Sequence, residues 1–120
     1  MKNLLIAFAL LSIFSCSQKK DIKGFNEDAW KSDKNGCEGI RAKMQPQLEA
    51  VKNELKALKS DEIISVLGKP NMTKLSTRNQ KYFMYNISPS DVCKNYDSNK
   101  NINLSIRFNA MGLSYEVIIN

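Results

Sequence analysis

The chain has 120 residues, a formal charge of +6 and no histidine, which leaves room for one domain around one modest core. The missing histidine removes the commonest general base and the commonest metal ligand together, and so argues against acid–base and metal chemistry. Three cysteines, at positions 16, 37 and 93, matter more for where they fall than for their number.

Met1-Lys2-Asn3 is a short positive start, and Leu4 to Phe14 is nearly all apolar. Such a run falls short of the roughly 20 residues a membrane-spanning helix needs, but it suits the core of a signal peptide. It ends at Ser12-Ile13-Phe14-Ser15-Cys16, which resembles a bacterial lipobox, although Phe14 stands where a small or aliphatic residue is usual. The resemblance implies that residues 1–15 are a lipoprotein signal peptide, removed before Cys16, and that Cys16 is lipidated. Several acyl chains on one residue anchor a protein stably, whereas one chain binds only marginally. Residues 16–24, with no hydrophobic cluster before Phe25, read as a flexible tether, and residues 25–120 as a single domain.

In a cytosolic protein the basic balance would raise nucleic acid as a partner. Here the expected address is the cell envelope, and the lysines are spread along the chain without a basic run carrying interleaved aromatics. Nucleic acid is therefore not expected. A weak contact with anionic lipid head groups or glycans fits the charge better than nucleic acid does, and a plain solvated surface is the first reading of it.

Phe25 to Cys37 reads as an irregular or one-turn segment whose only large apolar groups are Phe25 and Trp30. They are expected to tuck onto the domain edge. From Glu38 the pattern turns helical. Ile40, Met44, Leu48, Val51, Leu55 and Leu58 make one apolar stripe at three- and four-residue spacing. Pro46 interrupts it, by a kink or by a fresh helix start, and the unbroken register of the stripe favours a kinked single helix. Leu58 to Pro70 then reads as a second, short helix. Ser60 is its expected cap, Asp61 and Glu62 fill its first turn, and Ile63, Ile64 and Leu67 form its apolar face. Gly68 and Pro70 end it.

After Pro70 the pattern is strand-like. Residues 71–76 are a short extended piece, and residues 81–87 an aromatic, β-prone strand. Ile102, Leu104, Ile106 and Phe108 alternate with polar residues, and Leu113 to Ile119 alternate in turn after the hairpin Asn109-Ala110-Met111-Gly112. The expected fold class is α+β: two N-terminal helices packed on one face of a three- to four-stranded antiparallel sheet, in α-α-β-β-β order. With Cys16 lipidated, Cys37 and Cys93 remain as an even pair, which in an oxidising compartment favours a disulfide. Two thiols without histidine do not fill a tetrahedral metal shell, and there is no Cys-x-x-Cys redox motif. No cofactor is expected.

The run Leu58-Lys59-Ser60-Asp61-Glu62-Ile63-Ile64-Ser65-Val66-Leu67-Gly68-Lys69-Pro70, the aromatic strand around Tyr82 to Tyr85 and the closing hairpin from Leu104 to Leu113 together resemble the SmpA/OmlA lipoproteins. That family includes a small subunit of the outer-membrane barrel-assembly machine. The resemblance covers roughly residues 58–119. It implies a fold like that of the β-lactamase inhibitor protein, two helices on an antiparallel sheet. The extended first helix and the Cys37, Cys93 pair depart from the family pattern.

Three function classes are in play. The first is a non-catalytic envelope lipoprotein that binds a protein partner through the open sheet face or an edge strand, in outer-membrane assembly or maintenance. The second is a periplasmic inhibitor or immunity protein that plugs a hydrolase or toxin. The third is an enzyme, for which Ser60, Asp61 and Glu62 are explained as helix-start residues, and Asp91 beside Cys93 lacks a base. The first is the favoured expectation, with the protein lipid-anchored in the outer membrane on its periplasmic or its surface side. Arg107 and the outward strand residues would then offer contacts.

Overall fold

The computed structural model describes residues 21–120. Cys16, the leader and most of the expected tether lie outside the described residues. From Asp21 onward the chain is α+β, with four α-helices preceding a four-stranded antiparallel sheet.

Helix α1 spans Glu27–Ser32, where the sequence suggests at most an irregular turn. The side chain of Asn26 accepts a hydrogen bond from Ala29 N at 3.1 Å, and Glu27 and Asp28 sit in the positive first turn. Trp30 is fully buried in the core and does not lie at its edge. Its indole Nε1 donates to the carbonyl of Leu67 at 3.0 Å, and its ring lies 5.8 Å from Phe25 and 6.3 Å from Tyr85. An exposed aromatic partner contact at Phe25 and Trp30 is ruled out by this burial.

Helices α2 (Ile40–Lys43) and α3 (Gln45–Val51) replace the expected kinked single helix. Pro46 has no N–H to continue the α2 ladder, so the chain restarts with Pro46 in the first turn of α3. The stripe nevertheless keeps its register: Met44, Leu48, Val51, Leu55 and Leu58 are buried and Ile40 is half-buried. A 3-10 turn over Lys52–Leu55 follows, and then Ala57 adopts a φ of 62°, uncommon for a residue with a side chain.

The bend is fixed by Ser114. This serine is 2% exposed. Its hydroxyl donates to the Leu55 carbonyl at 2.6 Å and accepts from Leu58 N at 3.0 Å. Its backbone bonds Ala57 N at 2.7 Å and the Leu58 carbonyl at 2.8 Å. Ser114→Ala leaves one buried donor and one buried acceptor unpaired, so it is expected to cost about 1–3 kcal/mol in chemical denaturation.

Helix α4 spans Ser60–Leu67. Lys59, and not Ser60, is its N-cap residue, and the Glu62 carboxylate reaches back to accept from Lys59 N at 3.2 Å. Its buried face is Ile63, Val66 and Leu67, while Ile64 is 38% exposed. Gly68, with φ of 78°, ends it, its N–H bonding the Ile64 carbonyl at 2.8 Å.

The strands β1 (Met72–Leu75), β2 (Lys81–Asn86), β3 (Asn103–Phe108) and β4 (Ser114–Ile119) lie in sequence order across the sheet. Phe83, Tyr85, Leu104, Ile106, Phe108 and Val117 point into the core, with Phe83 edge-on to Phe108 at 4.8 Å between centroids. The same core holds buried residues of α1, α3 and α4, with the half-buried Ile40 of α2 packed against it. A register shift at Arg107/Phe108 pairs Arg107 with Glu116 and Phe108 with Ser114. Strict alternation would put Tyr115 on the same side as Val117. The irregularity turns Ser114 inward instead and leaves Tyr115 39% exposed.

Candidate functional site

The turn after α1 is built around one acid and one base. The Asp33 carboxylate accepts from Glu38 N at 3.0 Å, Ile40 N at 2.9 Å and Arg41 N at 3.1 Å, and so caps α2 from a distance in sequence. Arg41 is 1% exposed. Its guanidinium lies 4.3 Å from the centre of the Trp30 ring. Nε donates to the Trp30 carbonyl at 2.9 Å, and Nη1 to the carbonyls of Lys34 at 2.9 Å and Asn86 at 3.1 Å and to Asn71 Oδ1 at 3.2 Å. Burial lowers the Arg41 pKa to about 10, with Asp33 and Tyr85 pulling it back up, so the group stays charged at neutral pH. Burial likewise pushes the Tyr85 phenol above its ordinary range, against the pull of Arg41, and its hydroxyl donates to the Gly68 carbonyl at 2.8 Å.

Cys37 and Cys93 are joined, with their Cα atoms 5.3 Å apart. The bridge ties the segment before α2 to the loop between β2 and β3. Around it Ser90 N donates to the Asn35 carbonyl at 3.0 Å, and Asn95 Nδ2 to the Cys37 carbonyl at 3.2 Å. Gly36 is required there, because a Cβ on it would meet the Ser88 carbonyl oxygen at 2.5 Å.

Among the described residues, the core-forming helices lie on the inner face of the sheet, and the outward face carries exposed and half-buried side chains. Register places Met72, Met84, Ser105 and Ile118 in one row across it, and Lys74, Tyr82, Arg107 and Glu116 in the next. Met72 is 48% and Ile118 40% exposed. The Arg107 guanidinium lies 4.6 Å from the Tyr82 ring centre and 6.0 Å from that of Tyr115. Its pKa is raised above the ordinary value, first by the Tyr115 hydroxyl, so it is a permanent cation between two aromatic rings.

The two sheet edges differ. Near its start, β4 is covered by the 57–59 segment, through the Ser114 bonds and a bridge between Lys59 and Leu113. All four residues of β1 are exposed, Leu75 to 83%. A cleft of about 400 Å³ opens where this face meets the disulfide loop, lined by Met72, Met84, Asn86, Asn103, Val92 and Tyr96 among others.

No protein-family model, no curated protein and no solved structure matches the chain.

Of the sites read from the sequence, Cys37 and Cys93 are brought together and Cys16 lies outside the described residues. Among the described residues there is no cluster of three or more histidine, cysteine or acidic groups able to hold a metal, and no helix long and apolar enough to cross a membrane. Ser60, Asp61 and Glu62 occupy the first turn of α4. Sequence reasoning missed Arg41, which it left among the polar residues between the stripe positions. The signal was spacing: Arg41, Leu48 and Leu55 recur every seven residues, which places them on one helical face.

Proposed function

We propose that the protein is a non-catalytic, lipid-anchored binding module of the bacterial cell envelope, tethered through Cys16, that grips a protein partner with its outward sheet face and the β1 edge. The observation that carries this reading is the row of Met72, Met84 and Ile118 beside the row that holds Tyr82 and Arg107, next to a strand whose four residues are all exposed. Exposed apolar groups around an aromatic-flanked arginine are the composition of protein-binding surfaces. A free edge strand offers main-chain hydrogen bonds to an extended partner segment. The Cys37–Cys93 bridge supports an oxidising address. The absence of histidine supports a role without acid–base catalysis.

On this reading the two-helix-on-sheet arrangement is that of the SmpA/OmlA lipoproteins, and the setting is outer-membrane assembly or maintenance. The helix segments of α2–α3 and α4 would stand for the two helices of that family. The partner is a protein of the envelope. Contact with anionic lipids is secondary, and nucleic acid is not a partner.

Two measurements test the proposal. Cys16→Ala is expected to move the protein from the membrane fraction to the soluble one, and retention in the membrane would contradict the anchor. Met72→Glu with Ile118→Glu is expected to abolish co-purification of the partner from cross-linked cells while the purified variant keeps its fold, because buried charge opposes a desolvated contact. An unchanged co-purification would contradict the interface. If deletion of the gene sensitised cells to one toxin only and left barrier function intact, the inhibitor or immunity reading would replace this one.

A further inference from the structure

The end of α1 and the Gly68 junction enclose a notch of about 220 Å³ lined by Lys31, Lys34, Arg41, Leu67, Gly68 and Lys69, none of which belongs to a strand. Four of its six lining residues are cations and none is acidic. Lys31 is partly spent: its Nζ donates to the Ser65 carbonyl at 2.7 Å and lies 3.7 Å from the Glu27 carboxylate. Lys34 and Lys69 are exposed at the rim. Arg41 is the buried member, 1% exposed, and is held rigid by the Trp30 ring and by the acceptors on Nε and Nη1. Among the described residues none accepts from its Nη2. The floor is equally fixed. The carbonyls of Leu67 and Gly68 are bonded by Trp30 and Tyr85, and Gly68 lacks the Cβ that would stand 3.4 Å from Lys31 Cγ.

We propose that this notch binds a phosphoryl group, with Arg41 supplying the fixed donor and Lys34 and Lys69 closing over the charge. With Nε and Nη1 already bonded, Nη2 is left as a fixed, charge-assisted donor for one anionic oxygen, and the lysines add point charges without demanding one geometry. Burial disfavours the charged guanidinium, and an anion entering beside it would offset that cost. With Lys31 accounted for by Ser65 and Glu27, two lysines, Lys34 and Lys69, still stand beside the buried guanidinium, an arrangement that like-charge repulsion opposes. Its lining residues are not those of the outward rows, so the site would stand even if the protein partner bound elsewhere.

The phosphoryl group has two sources, free phosphate or a monoester, and the diester of a lipid head group. The test is an NMR titration of the full chain with inorganic phosphate and, separately, with dimethyl phosphate, following the amides of Gly68 and Lys69. Saturable shifts confined to the notch are expected. Lys34→Gln with Lys69→Gln should weaken them about tenfold, whereas Lys43→Gln with Lys56→Gln, which removes the same charge from other exposed positions, should leave them unchanged. Saturation with inorganic phosphate alone assigns the site to free phosphate or a monoester, and saturation with dimethyl phosphate assigns it to a lipid diester. Shifts that fail to saturate with either probe, or that weaken equally in both double variants, would overturn the proposal.

Discussion

Arg41→Met is expected to destabilise the protein by about 3–5 kcal/mol, the largest effect of any single substitution outside the disulfide. Methionine fills much of the space of the arginine stem, so the loss is not mainly a cavity. It comes from the carbonyls of Trp30, Lys34 and Asn86 and the Asn71 amide oxygen, which lose their donor together. Trp30 and Lys34 belong to the α1 end and the turn after it, whereas Asn71, just before β1, and Asn86, at the end of β2, lie 30 and 45 residues from Arg41, so the guanidinium joins the helical segment to two distant points of the sheet. Arg41→Lys should recover little, because a single ammonium cannot reproduce the planar fork. Urea unfolding followed by Trp30 fluorescence measures this directly, since the indole stacks on the same guanidinium. A cost below about 1 kcal/mol for Arg41→Met would mean that water replaces the arginine in the notch, and would remove it as the organising group.

Cys37→Ser with Cys93→Ser is expected to cost about 4 kcal/mol and to lower the melting temperature by on the order of 20 °C. The two cysteines are 56 residues apart in sequence, and most of the effect is the entropy the open loop regains in the unfolded chain. For a domain with a single modest core that is a large share of the net stability. The Ser90–Asn35 and Asn95–Cys37 bonds persist only if the bridge holds the two segments in place, so the cleft beside Tyr96 should lose its order first. The same loss should appear when the wild type is heated in reductant. A double variant as stable as the oxidised protein would show that the neighbouring bonds suffice, and would weaken the argument for an oxidising address.

What the sequence reveals here follows from what is local. The alternation of Leu104, Ile106 and Phe108 and the β-prone run at Tyr82 to Tyr85 give β3 and β2 to within a residue at each end, because a half-buried strand writes its period directly into the chain. The apolar stripe from Met44 to Leu58 is correct in every buried position, although the helix that carries it is broken. Pro46 decides that break, and register alone cannot reveal it, since a restarted helix can keep the same face. The two sequence expectations at α4 fail for tertiary reasons. Ser60 yields the cap position to Lys59 because the preceding segment is pinned to β4 by Ser114, and Val66 displaces Ile64 from the core because that docking sets the helix rotation. Tyr115 is turned outward by a register shift that nothing in its own strand announces. Arg41 and Trp30 were the least legible of all. A buried arginine is justified only by acceptors that lie up to 45 residues away, and no window of sequence contains them.

The outward sheet face is the claim on which the functional account depends, and site-specific photo-crosslinking in living cells tests it most directly. A benzophenone side chain at Tyr82, on the exposed face, should form a discrete adduct with one envelope protein. The same group at Gln47, exposed on α3, should form none. Adducts of equal yield at both positions, or none at either, would contradict the account.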